Sequence, residues 1–219
     1  MCRFRWLSLL AVTGFVGLWL AVASTLARAA DEQSQKARDI QWFLDKASRA
    51  AATIENDSRK GEALRAIAAA QAASGDFSSA LATAAGIRDP IGRVRAHCLV
   101  ANAQAKTGNA VGANEAIELA KQAAAVYKEG WVNPWIHAEI ADAQARAGDF
   151  AGALRKVREI EQAWAKNLAY AYIAEAQART GEVKQVRAWA ETLTEPREVV
   201  SACLGAVKGL QGEEDESGE

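Results

Sequence analysis

The chain has little excess charge of either sign. Its 219 residues carry 26 lysines and arginines against 27 aspartates and glutamates. Such a balance gives no bulk electrostatic case for nucleic acid. Histidine is scarce, with only His97 and His137 present. A metal site needs three or four convergent ligands, so neither a metal nor another cofactor is expected. There is no glycine-rich phosphate loop, no zinc-type His/Cys spacing and no nucleophile elbow. Few serines lie near either histidine, and no catalytic residues are assigned. Prolines are limited to Pro90, Pro134 and Pro196. Proline is tolerated in a helix's first turn, and Asp89 and Asn133 ahead of the first two are natural N-caps. Each proline is therefore expected to open a helix. What the chain has in quantity is apolar residues, 50% of the total, enough for a folded core.

The two ends differ from the middle. Arg3 and Arg5 precede an apolar run from Trp6 to Leu26, and Ala27-Arg28-Ala29 follows it. A basic start, an apolar middle and a small-residue exit describe a bacterial secretory signal over residues 1–29. The competing reading is an uncleaved inner-membrane anchor over residues 6–26, a length sufficient to span a bilayer. Either places the rest of the chain outside the cytoplasm, periplasmic or secreted, and membrane contact is expected only through this segment. Losing residues 1–29 leaves 23 basic and 27 acidic residues, and five of those acids lie in the last seven positions. Residues 212–219 are expected to form an acidic, disordered tail.

Between the ends a pattern repeats. "IAAAQAASGDF", "VANAQAKTGNA", "IADAQARAGDF" and "IAEAQARTGEV" place Gln71, Gln104, Gln144 and Gln177 at spacings of 33, 40 and 33. A period near 33 marks stacked helical hairpins. Four residues before each glutamine stands Ile67, Val100, Ile140 or Ile173, and then Ala68, Ala101, Ala141 or Ala174. Small side chains there let a neighbouring helix approach. Gly75, Gly108, Gly148 and Gly181 follow the glutamines by four, and a left-handed helix terminus suits each. Asp76, Asn109, Asp149 and Glu182 come next and suit the following N-terminus. Second helices then carry Ala80, Ala84 and Ile87, or Ala153, Val157 and Ile160, at helical spacing. The 40-residue step is an insertion of about two turns, expected to lengthen the second helix around residues 112–130. Residues 30–59 form an opening amphipathic helix with Ile40, Phe43, Leu44 and Ala47 inward. The repeat domain covers 60–211, and its last helix has Lys208 in the glutamine position as a solvent-facing cap.

These residues resemble the tetratricopeptide-repeat family. Leu64, Ile67, Ala68, Gly75, Asp76, Phe77, Ala80 and Ala84 stand at its relative spacings, and "AGDFAGAL" (147–154) resembles its turn and second-helix start. The resemblance covers residues 60–210 and is divergent, with glutamine where the family usually has an aromatic, prolines two residues early, and Val186 where an alanine is expected. The chain itself reads as all-α. The resemblance implies a right-handed superhelical solenoid of antiparallel helix pairs, about four repeats plus terminal capping helices. It further implies a scaffold or adaptor that binds a protein or peptide on its concave face.

Candidate partner-binding residues follow from that geometry, which turns the rows beside the glutamines toward the groove. They are Arg95, Asn102, Lys106, Trp135, Asp142, Arg146, Glu175 and Arg179. Asp142–Arg146 and Glu175–Arg179 are i,i+4 pairs of favourable order, worth about 0.2–0.5 kcal/mol each on a solvated helix face. Asn102 and Lys106 lack an acid at that spacing and resemble half of a carboxylate clamp. Trp135 reads either as a partner hot spot or as a buried loop clamp beside Trp131. Trp42, Trp164 and Trp189 are expected in the core. The glutamines, with apolar flanks, read as structural amides. Both histidines occupy one repeat position and are expected to pack between helices. Cys98 and Cys203, three units apart, are not expected to pair. The alternative function is an accessory or enzymatic α-helical domain acting on cell-envelope polymers, which would need a cleft with two unpaired carboxylates.

Overall fold

The computed structural model describes residues 7–126 and 134–212, with side chains from residue 25 onward. Trp131, Asn133, residues 213–219 of the acidic tail and most of the signal-or-anchor segment therefore lie outside the described residues. Among the described residues there are ten helices and no strand, and the fold is all-α. No helix among them is long and apolar enough to cross a membrane. The chain divides into two units, residues 1–47 and residues 48–219.

The first unit belongs to α1 (Leu7–Ala52), which begins well ahead of the expected opening helix and runs unbroken past Ala29. Leu44 is buried and Ile40 half-buried, but Phe43 and Ala47 are exposed. The inward line follows a four-residue step, so Phe43 falls to one side of it and meets Trp42 edge-on instead, with ring centres 5.0 Å apart.

The second unit holds α2 (Asp57–Ala73), α3 (Phe77–Ala85), α4 (Pro90–Lys106), α5 (Ala110–Ala124), α6 (Pro134–Arg146), α7 (Phe150–Arg158), α8 (Ala163–Arg179), α9 (Val183–Ala190) and α10 (Pro196–Gln211). All three prolines stand at helix starts. α5 is 15 residues long against nine for α3 and α7 and eight for α9, which is where the seven-residue insertion goes. The long helices α2, α4, α6, α8 and α10 each touch the next of their kind, and each of the first four also touches the short helix that follows it.

The ends of α2, α4, α6 and α8 are built alike. Gly75, Gly108, Gly148 and Gly181 have φ between +77° and +87°. The residue after each glycine donates its backbone N–H to the glutamine's own carbonyl, at 3.0, 2.9, 2.8 and 3.1 Å. Each glycine N–H bonds the residue after the glutamine. This pairing of bonds is the Schellman termination, which satisfies carbonyls that the helix end would leave bare. Asp76, Asn109 and Asp149 then accept from the N–H three residues on and start the short helix. Glu182 occupies the same position without such a bond.

The glutamine side chains fasten the same hairpin, not the neighbouring one. Gln144 and Gln177 donate to Asp149 and Glu182 at 2.9 and 3.2 Å. Gln71 accepts from the Thr83 hydroxyl at 2.8 Å and Gln177 from the Trp189 indole at 2.9 Å. Thr83 and Trp189 both lie twelve positions after their glutamine. Ala116 and Lys156 stand there in the middle units, and the side-chain oxygens of Gln104 and Gln144 are buried without a protein partner.

The core is narrow because alanine dominates it. Ala68, Ala101, Ala141 and Ala174 are wholly buried, as are Ala80, Ala84 and Ala153. Ile87, Ile136, Ile140, Ile160 and Ile173 supply its bulk, each worth about 1.5–3 kcal/mol on burial. The closest helix contact lies between α8 and α10, where a Cβ at Gly205 or Gly209 would strike the backbone carbonyl of Ala171 or Glu175. Gly205→Ala is therefore expected to cost about 1–3 kcal/mol by overpacking. Gly148→Ala has open space around its Cβ and is expected to cost about 1–2 kcal/mol from the left-handed backbone alone. Urea unfolding followed by circular dichroism measures both, and an unshifted midpoint for Gly205→Ala would contradict the α8–α10 packing.

Candidate partner-binding face

The N-terminal halves of α4, α6 and α8 bring four side chains together. Arg95 and Glu139 form an ion pair at 3.0 Å. The Trp135 indole N–H donates to the same carboxylate at 2.5 Å. The Arg95 guanidinium also lies 5.9 Å from the centre of the Trp135 ring. Trp164 lies obliquely against the Trp135 ring, with centres 5.7 Å apart. Burial raises the Glu139 carboxyl above the ordinary range, with Arg95 and the indole opposing the rise. Its other oxygen is buried without a hydrogen-bond partner.

Further along the same helices the expected i,i+4 pairs both form. Arg146 donates to Asp142 at 2.8 Å and Arg179 to Glu175 at 2.6 Å. Neither lies on the solvated face expected for it. The Asp142 and Arg146 side chains are 13% and 16% exposed, and Glu175 is 5% exposed. Neighbouring long helices enclose them. Asn102, which has no acid within its own helix, meets Asp142 from α6 at 3.4 Å. Glu175 takes a second cation, Lys208 of α10, at 3.3 Å. Burial raises the Asp142 carboxyl, with Arg146 and Asn102 working against the shift.

The candidates thus fall into three groups: Arg95 with Trp135 and Asn102 with Asp142 and Arg146 each join α4 to α6, while Glu175 with Arg179 lies within α8 and is tied to α10 only through Lys208. Lys106 stands apart, exposed and without an ion pair among the described residues. The Asn102 amide gives one of its two N–H donors to Asp142, which ties that half of the clamp resemblance to α6.

Several expectations are corrected here. Trp164 is 51% exposed and Trp42 55%, so neither belongs to the core. Trp189 is half-buried, bonded to Gln177 and stacked on Tyr170 at 5.7 Å. Lys208 pairs with Glu175 of α8 while its side chain stays 37% exposed, so it is not left wholly to solvent. Glu139 was not among the expected site residues, and Trp164 was expected in the core instead of beside Trp135. Glu139 was detectable as the acid four residues after Trp135 on one helix face. Trp164 shares its repeat position with Trp131, since each precedes its glutamine by thirteen residues, and that recurrence was the available signal.

Comparison with family models, with curated proteins and with solved structures gives no match.

His97 is buried and His137 half-buried, consistent with packing between helices. Burial holds both imidazoles below their ordinary pKa, helped by Arg93 at His97 and by Lys156 at His137, where Glu159 opposes. Among the described residues no cluster of metal-ligating side chains surrounds either one. The native state keeps both neutral while the unfolded chain protonates near pH 6.5. Their contribution to stability is therefore present above about pH 6.5 and lost as pH falls through the lowered native values. Asp142 and Glu139 run the other way. Their raised native values mean a contribution that is full below the ordinary carboxylate range and lost as pH rises. Stability measured across pH 4.5–7.5 should accordingly show a shallower acid loss for His97→Gln than for the parent. Asp142→Asn should gain on the parent as pH rises. Parallel profiles for parent and both variants would refute the assignment.

Proposed function

We propose that residues 60–211 form a divergent tetratricopeptide-like solenoid, with a right-handed superhelix of about four helix pairs and terminal helices. Its concave face, built from α2, α4, α6 and α8, binds a protein or peptide partner. The chain acts as a scaffold or adaptor outside the cytoplasm, exported or anchored through residues 1–29. One observation carries the binding reading. The Arg95–Trp135–Trp164 shelf presents a half-exposed indole, held by stacking and by charge, at the junction of three helices. Rigid aromatic and arginine side chains in that setting supply most of the energy in protein interfaces. Exposed Leu99 and Lys106 on α4 extend the face.

The enzymatic alternative requires two unpaired carboxylates. Glu139, Asp142 and Glu175 each stand against an arginine, and the binding reading is the better supported.

The test is affinity recovery and crosslinking of the native partner from cell envelopes with parent and variant chains. Trp164→Ala and Lys106→Glu alter exposed side chains and should leave the unfolding midpoint nearly unchanged. Trp164→Ala is expected to lower affinity at least about tenfold. Undiminished recovery by both variants would sink the proposal.

A further inference from the structure

α10 buries one face and leaves the other bare. Ala202, Gly205 and Gly209 are buried, with both glycines against the α8 backbone. On the opposite side Val200, Leu204, Val207 and Leu210 are 55%, 63%, 48% and 60% exposed, and the exposed thiol of Cys203 lies among them. The spacing is that of a heptad seam, with Val200 and Val207 at one core position and Cys203 and Leu210 at the other. Single exposed apolar residues are ordinary on a protein surface, but a contiguous stripe of this kind marks a contact site. Polar side chains are few along it: Arg197 at one end and Gln211 at the other.

We propose that this face docks on the same face of a second copy, with the two α10 helices antiparallel about a two-fold axis at the level of Gly205. A two-fold contact needs a surface that complements itself, and this seam does. Val200 then lies opposite the partner's Leu210, and Cys203 opposite the partner's Val207, so every layer is apolar. Charge selects the direction. Arg197 is the one ionised side chain on the exposed stripe. Antiparallel pairing sets it beside the partner's helix C-terminus, where the macrodipole is negative and Glu213, Glu214 and Asp215 follow in sequence. Parallel pairing would give Arg197 no such partner, because it would carry the acidic helix end of the second copy to the far end of the seam. Glu195 and Glu198 fall at outer positions of the heptad, away from the seam. The contact is small. A helix of 16 residues is about 24 Å long, and two of them bury less than the roughly 1,600 Å² of a standard interface. The dimer is therefore weak and concentration-dependent.

Disulfide crosslinking of the full chain tests both pairing and direction. In a Cys2→Ser, Cys203→Ser background, Leu204→Cys sits near the axis and should give covalent dimer on mild oxidation. Arg197→Cys and Gln211→Cys should each give little alone, yet crosslink when the two variants are mixed. In the parent background, Leu204→Glu combined with Val207→Glu should abolish the dimer in sedimentation at about 100 µM chain, a level suited to a weak contact. Both residues are exposed, so an unchanged circular dichroism spectrum verifies the fold. A monomer at that concentration with no crosslink at position 204 overturns the proposal, including the case in which a different protein covers the face. Equal self-crosslinking at positions 197, 204 and 211 overturns the antiparallel arrangement.

Discussion

The turn in which a glycine goes left-handed and the residue beyond it bonds back to a glutamine carbonyl fixes most of the second unit. It sets where α2, α4, α6 and α8 stop and aims the chain into the short helix. It also places an acid or amide at that helix's start. A substitution with a Cβ is strained there whatever the surrounding space, because φ alone excludes it. With the turn fixed, the glutamine side chain already points at the following helix. Its amide lies over Gly112 and Gly152, where a Cβ would collide with it. The backbone turn is used four times, with a capping bond at three of the short helices and a glutamine side-chain bond in three of the hairpins.

Alanine then determines how the devices pack. Wholly buried alanines at matching positions let the long helices approach, and glycines at 205 and 209 bring α10 still closer. Close approach has an electrostatic consequence. Side chains beside the glutamines that would be solvated on a lone helix become enclosed by their neighbours. Asp142, Glu139 and Glu175 lose water and acquire cations in its place. A buried ion pair adds little over an apolar replacement, yet removing one partner typically costs about 3–5 kcal/mol. The row of charges therefore specifies which helix lies beside which more than it strengthens the assembly.

The sequence displayed the repeating part of this well and the particular part poorly. Helix ends, the placement of the insertion in α5 and the buried alanine row all followed from residues recurring at one spacing. Gln71 and Gln177 were legible as structural amides, but their partners Thr83 and Trp189 were not, since each occurs once. Trp164 was misplaced for a different reason. Tryptophan is usually buried, and only the neighbouring Trp135 explains why this one lies at the surface. Asn102 was read against its own helix, while its partner comes from forty residues away. Enclosure of Asp142 and Arg146 depends on inter-helix distance, which a pattern along one helix does not contain. The same holds for α10, where the polar residue pairs with α8 and the apolar ones face outward.

The glutamine clasp is complete in the first and last hairpins and incomplete in the two between them. Gln71 has Thr83 and Gln177 has Trp189, whereas Gln104 and Gln144 have alanine and lysine at the corresponding position. Scarcity of neighbours does not explain the difference, because α8 is packed between α6 and α10. The first and last short helices are each held by a side-chain bond twelve residues beyond the glutamine, and the middle two are held by the glycine turn and by packing alone at that point. Local opening begins where such ties are fewest, so α5 and α7 can lift from their long helices without breaking a bond to the glutamine side-chain oxygen.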